Sequence, residues 1–266
     1  MISRITNKLQ ALKEYDEKAL ITYVTAGDPD LETTFDLVLA MEKAGADIIE
    51  LGIPYSDPLA DGPVIQRASQ RALNAGANME AIFELVIKLR EKTQIPLVFL
   101  VYYNCVFKYG LETFLNRCQE IGIDGLIIPD LPLEERRELQ VMMQQYPMDL
   151  IPLVAPTSED RMKEIVQDAE GFIYCVSSTG VTGKRNSLAG NLEGFMQQLR
   201  TYTEIPLVIG FGISNSEMMD KLKNICDGFI IGSAVIEKIE AGLEDRSSVE
   251  RVSKFIEKLY EFKNLG

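Results

Sequence analysis

Short apolar runs alternate with amphipathic stretches along almost the whole chain. The runs are rich in Ile, Val and Leu, as strands covered on both faces tend to be, and a segment with helical spacing of apolar residues follows each one. The eight runs predicted to be strands are Ala19–Thr25, Ala46–Gly52, Pro96–Tyr103, Asp124–Pro129, Leu150–Ala155, Gly171–Ser177, Pro206–Gly210 and Asp227–Gly232. An amphipathic helix over Ile2–Lys18 precedes them, and the last closing helix is predicted to end at Phe262.

Strict alternation of strands and helices implies a parallel sheet. Eight such units in 266 residues fit a TIM barrel better than an open doubly wound sheet. No shift in composition and no linker marks a second domain. The expectation is therefore an α/β fold, a single (β/α)8 TIM-barrel domain over residues 1–266, with extra N-terminal and inserted helices.

Composition supports an ordinary globular protein, with 46% hydrophobic and 25% charged residues. No apolar run approaches the roughly 20 residues that a membrane-spanning helix needs. The N-terminal segment is charged and polar, unlike a signal peptide. We therefore expect a cytoplasmic protein that is not bound to a membrane.

The balance of charges limits the classes of partner. A net charge of −13 makes nucleic acid and anionic membranes poor partners, because both require a positive surface. An anionic small substrate stays possible, since backbone N–H groups at helix N-termini bind phosphate without lysine.

The chain has no histidine, which excludes the usual zinc sites and Ser-His or Cys-His nucleophiles. The four cysteines form no CxxC pair and are interpreted as reduced core thiols.

Two carboxylates near the end of the second strand are candidates for proton chemistry. Catalytic groups of a barrel lie at the C-terminal ends of its strands, and Glu50 is placed there within an apolar strand. Desolvation would raise the pKa of its carboxyl group and suit it to acid–base work, although a structural ion pair would also explain it. Asp61 precedes Pro63 at a helix start. It is interpreted either as a helix cap or as a second carboxylate held as an anion.

Glycine turns follow the late strands and predict a phosphate site. Gly212 follows the seventh strand, Gly232 and Ser233 follow the eighth, and Gly183 follows the sixth. The loops after strands seven and eight form the usual phosphate site of this fold, and the alternative is tight turns without a ligand. The polar loop Ser178–Gly190 is suited to a lid or is an ordinary surface loop.

One long motif gives the sequence a family resemblance. The segment Glu50-Leu-Gly-Ile-Pro-Tyr-Ser-Asp-Pro-Leu-Ala-Asp-Gly-Pro-Val-Ile-Gln66 resembles the signature of the tryptophan synthase alpha chain. Further motifs of that family are matched, in the same order, by Tyr23–Pro29, Pro129–Pro132, Tyr174–Gly183 and Gly210–Ser214. The resemblance covers essentially the whole chain.

The resemblance implies a lyase that needs no cofactor. Its reaction is the reversible retro-aldol cleavage of indole-3-glycerol phosphate to indole and glyceraldehyde 3-phosphate, in tryptophan biosynthesis. The family's catalytic glutamate and aspartate fall on Glu50 and Asp61. Its indole pocket falls on Tyr23, Leu100 and Tyr174, its lid threonine on Thr182, and its phosphate-binding positions on Gly183, Gly212, Gly232 and Ser233.

The resemblance also implies a pyridoxal-phosphate-dependent beta chain as partner, in an αββα heterotetramer. The matching contact surface includes the Pro54–Ala60 loop and the region near Asn104. Three other functions stay open: a stand-alone lyase that releases free indole, a non-catalytic regulatory barrel that activates a partner, and another phosphate-binding barrel such as an isomerase or a different aldolase. Robust turnover by the isolated chain would favour the stand-alone lyase, and weak turnover rescued by a beta chain would favour the synthase subunit. Retention of both Glu50 and Asp61 argues against the non-catalytic barrel.

Overall fold

A parallel β-sheet closed into a barrel forms the centre of the protein. The structure, a computed structural model, describes residues 3–176, 188–210 and 212–263. Within these ranges the sheet contains nine strand segments: β1 (Ala19–Thr25), β2 (Ile48–Gly52), β3 (Leu97–Leu100), β4 (Gly125–Ile127), β5 (Asp149–Leu150), β6 (Leu153–Val154), β7 (Ile173–Val176), β8 (Leu207–Gly210) and β9 (Gly228–Ile231). Neighbours in the sheet follow chain order, and β1 lies between β2 and β9. This order confirms the predicted TIM barrel.

The fifth predicted strand closes the barrel as two segments. β5 pairs with β4, and β6 pairs with β7. Between them, the Ile151 N–H donates to the Leu126 carbonyl at 2.9 Å, and the Pro152 carbonyl accepts from the Tyr174 N–H at 2.9 Å. Pro152 has no N–H to donate, so the ladder is interrupted there. The nine segments therefore correspond to the eight predicted strands.

Two apolar clusters lie on opposite faces of the sheet. Side chains alternate along a strand, so Ile48 packs inside the barrel while Ile49 and Leu51 pack outside against the helices. The N-terminal helix adds Ile5 and Leu9 to the inner cluster. These contacts close the end of the barrel opposite the C-terminal ends of the strands.

The helices cover the outside of the barrel and differ from prediction at three places. Their bounds are α1 (Arg4–Glu14), α2 (Leu31–Lys43), α3 (Pro63–Asn74), α4 (Met79–Arg90), α5 (Tyr103–Tyr109), α6 (Leu111–Ile121), α7 (Leu133–Met143), α8 (Met162–Val166), α9 (Leu188–Arg200), α10 (Ser216–Leu222), α11 (Ser233–Ala241) and α12 (Ser248–Lys263). Helix α5 was not predicted, because its aromatic sequence is typical of a strand. The sequence pattern predicts helices over Leu192–Tyr202 and Ser158–Ala169. Helix α9 begins earlier than Leu192, and the segment from Ser158 lies in a 3-10 turn, Pro156–Arg161, followed by α8. No helix in the described ranges is long and apolar enough to cross a membrane.

Candidate active site

Strand β2 carries Glu50 into the interior of the barrel. Alternation places Glu50 on the same face as Ile48, and it lies directly opposite Tyr23 of β1 in the strand register. The residue is 1% exposed, and its Oε1 atom has no hydrogen-bond partner among the described residues. Burying a carboxyl oxygen without a hydrogen-bond partner destabilises the folded state, so such a residue is a candidate for a functional role.

The surroundings of Glu50 favour its protonated form. Burial, and to a smaller extent the negative charge of Asp61, raise the pKa of the Glu50 carboxyl group to about 8. A carboxylic acid that stays protonated near neutral pH can donate a proton, and its conjugate base can accept one. The expectation of a desolvated carboxyl group at this strand end is confirmed.

Asp61 lies half-buried at the end of the loop between β2 and α3. The N-cap of α3 is Gly62, and no side chain bonds to the first N–H groups of that helix, so Asp61 is not its cap. The Tyr102 hydroxyl donates instead to the Asp61 carboxylate. Burial raises the pKa of Asp61 to about 6, while the Tyr102 hydrogen bond opposes the rise. Asp61 is therefore an anion at neutral pH beside a neutral Glu50.

Tyr102 connects Asp61 to the rim of the barrel. Its hydroxyl accepts from the Ala60 N–H at 2.9 Å, and its ring stacks on Tyr55 with centroids 5.1 Å apart. The Asn104 side-chain amide donates to the Tyr55 hydroxyl at 2.9 Å. The place of Tyr102 near the C-terminal end of the third predicted strand indicates a core-facing or rim aromatic, or a wall for an aromatic substrate. Its contact with Asp61 was not predicted, because it joins positions far apart in the chain.

Two tyrosines wall the interior beside Glu50, each against a glycine of the next strand. A Cβ atom at Gly52 would lie 2.1 Å from the Tyr23 hydroxyl oxygen, and one at Gly210 would lie 2.4 Å from the Tyr174 ring. Burial raises the phenol pKa of both tyrosines well above its usual range, and the charges of Asp61 and Glu50 add to the rise. Both phenols therefore stay neutral and surround Glu50 with ring surface.

The remaining candidate positions lie at the C-terminal ends of neighbouring strands. Leu100 ends β3 directly opposite Gly52. Gly212 follows β8 with a φ of +83° and has open space where a Cβ atom would stand. Gly232 is the N-cap of α11, which has no side-chain cap, and its Cβ position lies 3.7 Å from the Cβ atom of Tyr23. Ser233 is exposed in the first turn of α11.

The structure thus brings most of the predicted residues to one end of the barrel. An uncapped helix N-terminus beside the tyrosine wall can accept an anion through its backbone N–H groups. Thr182 and Gly183 lie outside the described residues. The remaining candidates combine a protonated carboxyl group, an anion, two aromatic walls and an uncapped helix N-terminus.

Comparisons with known proteins agree with this geometry. Residues 9–264 match the family model described as tryptophan synthase alpha chain. A Thermoanaerobacter tryptophan synthase alpha chain is 54% identical over 260 residues, covering 98% of this chain and 99% of the relative. The Clostridium kluyveri alpha chain is 50% identical over 255 residues, covering 96% and 97%. The crystal structure of tryptophan synthase subunit alpha from Legionella pneumophila superimposes with a TM-score of 0.92 at 33% identity, covering 100% of both chains. The chain belongs to the tryptophan synthase alpha chain family.

Proposed function

We propose that Glu50 moves the protons and Asp61 stays charged in the reaction of this lyase, the cleavage of indole-3-glycerol phosphate to indole and glyceraldehyde 3-phosphate. The observation that carries the proposal is the placement of a buried, protonated carboxyl group beside a half-buried anion. Two carboxylates whose environments separate their pKa values are suited to different roles in one reaction.

Each carboxylate has one task in the proposed sequence of steps. The Glu50 carboxylic acid donates its proton to C3 of the indole, and positive charge develops on the ring and reaches N1. Asp61 accepts the N1–H as a hydrogen bond and stabilises that charge in a site with little water. The Glu50 carboxylate then takes the proton of the hydroxyl group on the carbon attached to C3. The C–C bond breaks, its electrons restore the indole ring, the carbon becomes the aldehyde, and Glu50 is protonated again.

The substrate is proposed to lie between the tyrosine wall and the late strands. Tyr23, Leu100 and Tyr174 surround the position of the indole ring with apolar surface. Gly212 and the N-terminus of α11 are proposed to receive the phosphate group, since backbone N–H groups there are open to an anion. The family resemblance adds Thr182 and Gly183 to this site.

The role of Glu50 is tested by the turnover of Glu50→Gln. We expect kcat to fall at least about 10²-fold, the lower end for loss of one proton-transfer group, with substrate binding retained. The chain contains no tryptophan, so the fluorescence of substrate and released indole can be followed without a background from protein indole rings. Asp57→Asn is the matched control, because Asp57 is an exposed carboxylate of the same loop. Near-normal turnover by Glu50→Gln would refute the role of Glu50.

The catalytic face is also proposed to dock a beta chain in an αββα assembly. Two large apolar side chains project from it: Leu59 on the loop before Asp61 is 97% exposed, and Phe107 on α5 is 71% exposed. The contacts of Tyr55 with Asn104 and Tyr102 tie this loop to β3 and α5, and through Tyr102 to Asp61. Occupancy of the site and docking of a partner are therefore proposed to influence each other through this loop.

Leu59→Ala tests the docking surface. We expect it to weaken activation of cleavage by a cognate beta chain without changing turnover of the isolated chain. Val141→Ala is the control, because Val141 is also exposed but lies near the C-terminal end of α7, away from the catalytic face. Full turnover by the isolated chain, unchanged on adding a beta chain, would favour a stand-alone lyase.

A cytoplasmic location is inferred as well. The four cysteines are free, and three of them are buried, which fits a compartment that keeps thiols reduced. Cell fractionation tests this inference, and recovery of the protein outside the cytoplasmic fraction would refute it.

A further inference from the structure

Helix α3 carries two arginines one turn apart on the face towards α11. The helix begins at Pro63, two residues after Asp61. Arg71 donates from Nε and Nη2 to both carboxylate oxygens of Asp28, at 2.8 and 2.9 Å, and from Nη1 to Glu240 at 2.7 Å. Arg67 donates to both oxygens of Glu240 at 2.8 and 2.9 Å. One guanidinium group therefore connects two carboxylates that come from different elements.

Arg71 joins the three parts of the chain that hold the site. Asp28 lies in the loop after β1, the strand that carries Tyr23. Glu240 lies on α11, the helix whose N-terminus at Gly232 is proposed to receive the phosphate. The guanidinium group, in the last turn of α3, thus fixes this helix relative to the loop after the tyrosine strand and to the last turn of the phosphate helix.

The two arginines differ in burial and in the charge that they neutralise. The Arg71 side chain is 23% exposed, and its partner Asp28 is fully buried. Burial raises the pKa of Asp28 and its bond to Arg71 opposes the rise, so loss of Arg71 would leave a buried carboxyl group without its cation. The Arg67 side chain is 53% exposed and pairs with the partly exposed Glu240, which is the situation in which an ion pair contributes little.

We propose that Arg71 is a positioning residue that acts through Asp61. In the proposed site, Asp61 lies at N1 of the indole ring, and the phosphate group of the same substrate is bound at the N-terminus of α11. The position of α3 relative to α11 therefore sets the distance between the Asp61 carboxylate and the indole ring. Displacement of a group by about 1 Å can cost about 10²-fold in rate, even when its origin is far from the reacting atoms. This inference rests on the proposed role of Asp61.

The test compares Arg71→Met with Arg67→Met, which removes the same charge from the same helix face. We expect Arg71→Met to lower kcat for indole-3-glycerol phosphate about tenfold or more, while the dissociation constant of glycerol 3-phosphate changes less than about threefold. Arg67→Met should stay within about twofold of the parent in both. Arg71→Lys keeps the cation beside Asp28 but cannot bridge both carboxylates in the same planar geometry. It should fold like the parent and still lose several-fold in kcat.

A double-substitution cycle separates positioning from a merely structural effect. In an Asp61→Asn background, measured in single turnover at high enzyme concentration, Arg71→Lys should cause little further loss, because the group that it positions is already gone. Equal losses in both backgrounds, or equal kcat for Arg71→Lys and the parent, would overturn the inference. If Asp61→Asn itself turns over normally, the proposed function fails and not this inference alone.

Discussion

Replacing Glu50 by Gln should change how the stability of the protein depends on pH. The replacement keeps the side-chain volume and removes one titrating group. The pKa of Glu50 is about 8 in the folded chain against 4.5 for an ordinary glutamate. Between these values the folded state binds more protons than the unfolded state, so the free energy of unfolding falls as pH rises. The loss of unfolding free energy caused by ionising Glu50 is absent below about pH 4.5 and complete above about pH 8.

The size of the effect follows from the two pKa values. A difference from 4.5 to about 8 corresponds to about 5 kcal/mol, at about 1.4 kcal/mol for each tenfold change in proton affinity. Part of this cost is already present at pH 5, so we expect a change of about 4 kcal/mol between pH 5 and pH 9. Glu50→Gln should therefore gain about that much stability relative to the parent over this range, whatever constant cost its amide adds.

Urea unfolding of both proteins at pH 5, 7 and 9 measures the effect. The quantity to compare is the difference in unfolding free energy at each pH, because any pH-independent cost of the Gln amide cancels. Glu32→Gln, at an exposed position of α2, controls for the loss of one acidic side chain. A difference between Glu50→Gln and the parent that stays constant within about 1 kcal/mol from pH 5 to pH 9 would refute the desolvated carboxyl group.

Three further predictions concern the site itself. The kcat/KM of the parent should rise through about pH 6 as Asp61 ionises and fall above about pH 8 as Glu50 loses its proton, giving a bell-shaped profile. Tyr102→Phe removes a hydrogen bond to the Asp61 carboxylate, worth about 1.5–3 kcal/mol for a charged acceptor, and should move the acidic limb of that profile to higher pH by about one unit or more. Gly52→Ala places a methyl group where the Tyr23 hydroxyl lies and should raise KM for indole-3-glycerol phosphate at least several-fold.

Matched variants make these predictions decisive. Tyr103→Phe, one residue from Tyr102, should leave the acidic limb in place. Gly194→Ala has open space for its methyl group and should leave KM unchanged. Activity that still rises at pH 9.5 would contradict the role of Glu50 as an acid. An acidic limb that stays in place in Tyr102→Phe would contradict its contact with Asp61.

Local sequence patterns were sufficient to predict most of the barrel. Each buried strand is a short apolar run, and each covering helix has its own apolar stripe, so both signals lie within a few neighbouring residues. Pro152 interrupts the fifth strand, as a missing N–H group requires, without changing the number of strands. Helix α5 was missed because its aromatic residues favour a strand locally, while the packing of buried Val106 decides for a helix.

The candidate site was predictable only in part. The position of Glu50 followed from an acid within an apolar strand, and its electrostatics follow from burial alone. The role of Asp61 could not be decided locally, since a cap and a free anion have the same sequence pattern before Pro63. Its bond from Tyr102 and the bridge from Arg71 to Asp28 are tertiary contacts between positions about 40 residues apart, which no local period encodes.

Helix α1 closes the barrel at the end opposite the C-terminal ends of the strands. Ile5, Leu9 and Leu12 fill the end below the inner cluster, and Ser3 and Arg4 anchor the helix to Asp149 and Asp124. Among the described residues, α1 thus covers the interior of the barrel on the side away from the C-terminal ends of the strands. The exclusion of water that keeps Glu50 protonated therefore depends partly on α1, at the opposite end of the barrel. Disrupting the packing of α1 would admit water from that end of the barrel and lower the pKa of Glu50. The enzyme would then lose its proton donor at a lower pH, although no group that contacts the substrate had been changed.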